Sequence, residues 1–157
     1  MGLDISHETW HGAYSAFMTW RNEVARAAGF PPLMLMEGFY SDGKTSYGHP
    51  VLWCTYNHPK ASEEYESFWM KEIKKQLPIR WDRFTSDPLW ILLSHSDCDG
   101  EIDWEDAGKI ALRLREVMPH MVKGNAPGHI GNWQDKTKTF IEGCERAHKT
   151  KENLLFR

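Results

Sequence analysis

The spacing of apolar residues along the chain predicts a mostly helical protein. From about Trp10 to Ala28, apolar side chains recur at steps of three and four residues, which is the spacing of one helix face. Gly29 and the following Pro31-Pro32 pair then predict the end of this first helix. Ahead of it, Leu3-Asp4-Ile5 alternates apolar and polar residues and predicts a short strand.

Further segments carry helix-start signals, helix-face signals or both. These predicted helices span residues 61–76, 89–93, 107–118 and a last segment that begins at 132 or 133. Residues 51–56 lie between turn signals and predict either a strand or a short helix. We therefore expect a mainly α fold, a single compact helical domain over residues 1–157. The minor strand contribution keeps an α+β fold open.

Composition and charge narrow the class of protein. The net charge is −3, which gives little electrostatic support for nucleic-acid binding. Cys54, Cys98 and Cys144 form an odd set without metal-ligand spacing, and this favours buried thiols in a reducing compartment. No signal peptide or membrane-length apolar run is visible, so a cytoplasmic location is expected.

The carboxylate-rich segment Ser94–Asp106 lies between an apolar segment and a predicted helix. With Gly100 at position 6, it resembles the pattern of an EF-hand calcium loop. The remaining ligand positions that can be assigned are His95 at 1, Asp97 at 3, Asp99 at 5, Asp103 at 9 and Asp106 at 12. His95 is a poor ligand for a hard cation, and Asp106 is shorter than the usual Glu. A Ca²⁺-binding module at residues 95–106 is one hypothesis.

A purely structural interpretation of the same segment needs no ligand. Asp103 is placed to cap the helix that follows, and Asp106 is placed to reach back toward it. In this interpretation Gly100 supplies the turn and the Cys98 side chain is buried. The interpretation is compatible with a ligand bound above the cap.

The N-terminal segment His7-Glu8-Thr9-Trp10-His11 matches the His-Glu-x-x-His pattern of zinc hydrolases. On a helix, His7 and His11 would share a Zn²⁺ ion and Glu8 would activate water. Only six residues precede the motif, and no third ligand is obviously placed. The alternative is that these histidines line a surface or a pocket beside Trp10.

The first predicted helix also offers groups that suit a nucleotide-like ligand. Tyr14 and Trp20 have stacking faces, Arg21 has a forked cation, and Asp97 and Asp99 can accept from hydroxyl or amino groups. The predicted ligand-binding set is His11, Tyr14, Trp20, Arg21, His95, Asp97, Asp99 and Gly100. Packing of Tyr14 and Trp20 in the core is the alternative.

Three motifs resemble those of a loose group of small phage and bacterial proteins. They are Met1–Ile5, the Gly-x-Tyr-Ser-x-Phe-x-x-Trp-Arg pattern over Gly12–Arg21, and the Ser-Asp-Cys-Asp-Gly turn at Ser96–Gly100. The group has no established activity, but phage proteins of this size often interfere with host defence. By analogy, we expect a non-catalytic protein that sequesters a nucleotide-derived signal and has no cofactor, with the zinc hydrolase and the Ca²⁺-binding module as alternatives. Its expected partner is a small molecule rather than a nucleic acid or a membrane, and a homo-oligomer is compatible with this role.

Overall fold

The computed structural model describes residues 2–40, 77–126, 128 and 130–157. Within these residues it has four α-helices and two pairs of short strands. The helices are α1 (Tyr14–Ala28), α2 (Leu89–Ser94), α3 (Trp104–Val117) and α4 (Trp133–Thr150). The strands are β1 (Leu3–Ile5), β2 (Trp10–Gly12), β3 (Glu101–Ile102) and β4 (Leu154–Leu155). The predicted mainly helical fold with a minor strand contribution is confirmed.

The first helix begins later than its apolar spacing predicts. β1 pairs with β2 in an antiparallel hairpin, with Ile5 opposite Trp10. Trp10 therefore lies on a strand, and its side chain enters the core beside Phe17. A buried strand residue and the helix face that it meets can together mimic one helical stripe, which explains why the helix was predicted to start too early.

The ends of the described helices follow local signals in the sequence. Gly29 adopts a left-handed conformation with φ 81°, and the Phe30 N–H donates to the Ala25 carbonyl, which closes α1. The Asp87 carboxylate accepts from the Leu89 N–H at the start of α2. Asp103 caps α3 as predicted, accepting from the Glu105 N–H, and Asn132 caps α4, accepting from the Gln134 N–H.

The described strands form two antiparallel two-stranded sheets, β1–β2 and β3–β4. An isolated antiparallel bridge joins Ile5 of β1 to Phe156, the residue after β4. The Asp4 and Arg157 backbones exchange two hydrogen bonds of 2.9 Å beside this bridge. The segment that follows α4 therefore connects the two sheets. Neither β3 nor β4 was predicted from the sequence.

The described elements share one hydrophobic core with an aromatic centre. Trp20 lies between Trp10 and Phe140, with ring centroids 5.4 Å and 4.6 Å away. The β1–β2 hairpin packs directly on α4, where a Cβ atom at Gly143 would lie 2.6 Å from the Thr9 Cα. Glycine at position 143 therefore sets how closely the hairpin approaches the helix.

Two predictions concern parts of the chain outside the described residues. They are the strand or short helix at residues 51–56 and the helix at residues 61–76. Among the helices that the structure does describe, none combines the length and the apolar character needed to cross a membrane.

Candidate functional site

The Ser94–Asp106 segment has the local architecture of a helix–loop–helix calcium loop. α2 ends at Ser94, Gly100 takes φ 96° at position 6, and α3 starts after its cap at position 9, Asp103. β3 covers positions 7 and 8, Glu101 and Ile102, and pairs with β4. The segment therefore lies between two helices and has a positive-φ glycine at position 6, as the alignment to a calcium loop requires.

His95, at position 1 of this loop, contacts an atom that calcium would use. Its Nε2 atom lies 3.2 Å from the Glu101 carbonyl oxygen, and its Nδ1 atom lies 2.7 Å from the Ser96 carbonyl oxygen. The backbone carbonyl at position 7 is a calcium ligand in EF-hands. The ring also packs 4.0 Å from the Phe156 ring and within 3.3 Å of where a Gly100 Cβ would be. The imidazole therefore stabilises the loop through contacts with its backbone.

Three acidic side chains of the loop each bond to a different group of the protein. Asp99 accepts from the Ser96 hydroxyl at 2.7 Å, Asp103 caps α3, and Asp106 pairs with Lys109 at 3.3 Å. The predicted return of Asp106 to the cap is therefore replaced by this ion pair. In the described ranges, no group of three or more His, Cys, Asp or Glu residues is arranged to hold a metal ion.

The cysteine predictions divide between two environments. Cys98 is exposed, so its predicted burial is wrong. Its sulfur forms hydrogen bonds with the neighbouring Ser96 and Asp99 side chains, which hold it at the surface of the turn. Cys144 is buried as predicted, and burial raises the pKa of its thiol. Cys54 lies outside the described residues.

The His-Glu-x-x-His motif lies on a hairpin rather than on a helix. His7 and Glu8 form the turn between β1 and β2, with φ values of 59° and 55°. The Arg146 guanidinium donates to the His7 carbonyl from both Nε and Nη2, which helps to hold this turn. His7 Nε2 lies 3.4 Å from Glu152, whereas His11 Nδ1 lies 3.1 Å from Asp4. The common helix face assumed for the zinc site does not form.

Trp20, one of the residues predicted to stack on a ligand, is a core residue. It is 0% exposed, and its indole N–H donates to the Thr137 hydroxyl at 3.0 Å. Tyr14 is half-buried and packs against the core. His11 is exposed on β2. In the described part of the chain, no hydrogen bond or ring contact joins His11 or Tyr14 to the Ser96–Gly100 turn.

Arg21, in contrast, does meet the turn. Its Nη1 atom donates to the His95 carbonyl at 2.6 Å, at the C-terminal end of α2. Its guanidinium carbon lies 4.6 Å from the Phe17 ring centroid and 5.6 Å from that of Phe39. The structure therefore brings together Arg21, His95 and the neighbouring Asp97. Phe39 was not predicted to take part, since its position in the sequence has no signal that links it to Arg21.

Among the described residues, the Arg21 guanidinium has few polar partners. The side chain is 0% exposed, and among the described residues its Nε and Nη2 atoms have no hydrogen-bond partner. Burial lowers the pKa of Arg21 to about 10, against the opposing effect of the Asp97 charge. No ion pair within 4 Å joins Arg21 to Asp97 in this part of the chain. The two unpaired N–H groups lie on one edge of the guanidinium, the edge that binds carboxylate or phosphate through two parallel hydrogen bonds.

Comparisons of this chain with protein-family models, with curated proteins and with solved structures find no match in any of the three.

Proposed function

We propose that this protein is a non-catalytic binding protein for a small, nucleotide-like anion. A phosphate or carboxylate group of the ligand pairs with the Nε–Nη2 edge of Arg21. The observation that carries the proposal is a fully buried guanidinium with two N–H groups that lack a partner among the described residues. Buried N–H groups are nearly always paired in folded proteins, so such an exception calls for an explanation such as an ion.

The surroundings of Arg21 favour an anion over a neutral ligand. An unpaired buried charge is destabilising by several kcal/mol, on the order of 3–5 when one partner of a buried pair is missing. An anion on the free edge would supply the missing charge and both missing acceptors. Phe17 and Phe39 flank the cation and exclude water, which strengthens the electrostatic attraction. Asp97 and the Asp99 carboxylate oxygen that does not bond to Ser96 would accept from sugar hydroxyl or base amino groups.

Entry of the ligand requires movement of the chain near Arg21. Because Arg21 is fully buried, the free edge is closed to solvent. The Ser96–Gly100 turn contains exposed residues and is held partly by side-chain hydrogen bonds of its own, such as that between Ser96 and Asp99. Because entry requires such a movement, we expect slow association compared with an open pocket.

A ligand panel tests the proposal. The panel contains inorganic phosphate, sulfate, cyclic nucleotides and ADP-ribose, measured by thermal shift and calorimetry. Arg21→Lys keeps the charge but loses the forked edge, so we expect at least about a tenfold loss of affinity. Arg113→Lys is the matched control, because Arg113 is a half-buried arginine whose partners, Asp87 and Glu116, lie elsewhere. Recovery of intact ligand after heat release distinguishes binding from turnover.

A second variant keeps the test informative if Arg21→Lys folds poorly. Asp97 is the negative charge that acts on Arg21, so Asp97→Asn should tighten the binding of inorganic phosphate by several-fold. No thermal shift with any member of the panel would exclude the proposal, as would equal affinities for wild type and a folded Arg21→Lys protein.

A further inference from the structure

A second candidate site lies where the two ends of the described chain meet. A cleft of about 790 Å³ is formed by the β1–β2 turn, the start of α3 and the segment after α4. This volume lies within the range of roughly 300–1,000 Å³ that small-molecule sites occupy. The cleft is separate from Arg21, which does not line it. No sequence motif had assigned a role to this region as a whole.

One wall of the cleft is an aromatic surface. Trp104, the first residue of α3, is half-buried and lines the cleft. The Asn153 side chain accepts a 3.0 Å hydrogen bond from the Trp104 backbone N–H at the start of the helix. The Trp104 ring itself lies 5.5 Å from the His148 ring and 5.9 Å from the Lys151 ammonium, which hold its orientation. A large apolar face that is held in place in this way suits stacking against a flat, apolar ligand surface.

Hydrogen-bonding groups of both kinds surround this ring. Glu101, Asp103 and Glu152 offer carboxylate oxygens, while the Lys151 ammonium and the Asn153 amide offer N–H donors. The Glu101 side chain makes no hydrogen bond or ion pair with any other described residue. Asp103 uses only one carboxylate oxygen to cap α3. Several acceptors and donors are therefore free to face a ligand.

The charge of the cleft disfavours an anionic ligand. Three carboxylates line it against one lysine and the His7 imidazole, which lies 3.4 Å from the Glu152 carboxylate. A phosphate here would meet mostly like charges, unlike a phosphate at Arg21. A ligand with many hydroxyl groups fits better, because each hydroxyl can donate to a carboxylate and accept from an amide or an ammonium.

We infer that this cleft, the terminal cleft, binds a neutral saccharide, with a sugar ring stacked on Trp104 and its hydroxyls bonded to Glu101, Asp103 and Asn153. A sugar ring has an apolar face and a polar edge, which match the Trp104 surface and the groups around it. The same chemistry occurs in a free mono- or disaccharide and in the ribose of a nucleoside. The inference does not depend on the proposed function at Arg21.

Ligand-observed NMR tests the inference on the full chain. The panel has three arms: neutral mono- and disaccharides, uncharged nucleosides, and the corresponding nucleotides. Hits are then titrated by calorimetry. Trp104→Ala should weaken saccharide binding by about tenfold or more through loss of the stacking face. Trp90→Ala is the matched control, because Trp90 is also half-buried but lies on α2 and does not line the cleft.

Glu101→Gln should leave the fold undisturbed. The Glu101 side chain is exposed, and the hydrogen bond that Glu101 makes with His95 uses the backbone carbonyl of Glu101. This substitution should weaken saccharide binding by about fivefold, because the Gln amide oxygen replaces a charged acceptor with a neutral one. Arg21→Lys should leave saccharide binding unchanged. Binding of nucleosides alone would assign the ribose as the source of the hydroxyls. The inference fails if no neutral ligand binds, if only phosphate-bearing ligands bind, or if the Trp104→Ala and Trp90→Ala proteins bind equally.

Discussion

Two buried charges on α1 show what is unusual about Arg21 at the level of single residues. Glu23 is also buried, but its carboxylate accepts from the Arg26 guanidinium and from the Val122 N–H. Arg21 makes bonds from Nη1 alone among the described residues. Both side chains are buried, with 0% of Arg21 and 3% of Glu23 exposed, so burial alone does not show which of the two charges has its polar atoms paired within the described residues. The number of satisfied polar atoms does.

His95 allows a direct test of what stabilises residues 95–106, called here the calcium-like loop. Its imidazole contacts the Glu101 carbonyl, which is the position-7 ligand of a calcium loop. His95→Asp removes the ring and adds a carboxylate at position 1. We expect this variant to gain a Ca²⁺-dependent rise in melting temperature at millimolar Ca²⁺, because Asp97, Asp99 and Asp103 are already in the loop. Thermal unfolding with Ca²⁺ and with a chelator measures the effect.

His95→Asn is the matched control for that experiment. It removes the same ring packing against Phe156 but adds no charge, so its melting temperature should not respond to Ca²⁺. The wild-type protein should not respond either. A wild-type response equal to that of His95→Asp would instead support the calcium-binding hypothesis for residues 95–106.

At the level of elements, glycine residues set two close contacts of α3 and α4. Gly143 on α4 faces Thr9 of the hairpin, including its backbone. Gly108 on α3 faces the His148 side chain, with a Cβ position 2.8 Å from the His148 Cγ. The two contacts differ in what would have to move. A backbone paired in a hairpin resists displacement, whereas the exposed His148 side chain can change its rotamer.

Alanine substitutions at these two glycines should therefore have different effects on the free energy of unfolding. Gly143→Ala should destabilise the protein by about 2–3 kcal/mol, because the added methyl group overlaps Thr9. Gly108→Ala should stay within about 1 kcal/mol of wild type, because a gain in helix propensity offsets the movement of His148. Urea unfolding followed by circular dichroism gives both values. Equal destabilisation by the two variants would contradict the prediction that the contact between Gly143 and the hairpin tolerates an added methyl group less well than the contact between Gly108 and His148.

At the level of the whole molecule, the β1–β2 hairpin and the Ser94–Asp106 segment both pair with the residues that follow α4. Phe156 is the residue where these segments meet. Its N–H donates to the Gly100 carbonyl, and its ring packs against His95 and Phe17. The calcium-like loop, the hairpin and the terminal cleft therefore depend on one short C-terminal segment.

Phe156→Ala should reduce stability by about 3–5 kcal/mol, since it removes a ring that is only 4% exposed. The half-buried Phe84 is the control, and Phe84→Ala should cost clearly less. Hydrogen exchange adds a spatial readout. Amides of Asp4 and Ser6, which pair with the C-terminal segment, should lose protection in Phe156→Ala before those in the middle of α4. Uniform loss of protection would contradict this role for Phe156.

The sequence predicts the helices well because their signals are local. Gly29, Asp103 and Asn132 mark helix ends through residues that act on their own neighbours. β4 has no such signal, since only two residues form it and its partners lie far away in the chain. For the candidate site, Arg21 and the Ser96–Gly100 turn were assigned to one ligand-binding set, but the direct bond from Arg21 to the His95 carbonyl was not predicted. The burial of Trp20 was not distinguishable from ligand stacking. Both roles need the same aromatic side chain on the same helix face.

The pairing of the chain ends has a consequence during synthesis. Ser6 and Leu155 bond to each other across 149 residues of sequence. At ribosomal rates, the residues between them take roughly 10–30 s to translate. During this time β1 has an edge that cannot yet pair with the β4 segment. An unpaired strand edge can recruit a strand from another chain in that interval. Nascent chains that stall before Leu154 are therefore the species from which we expect aggregation to start.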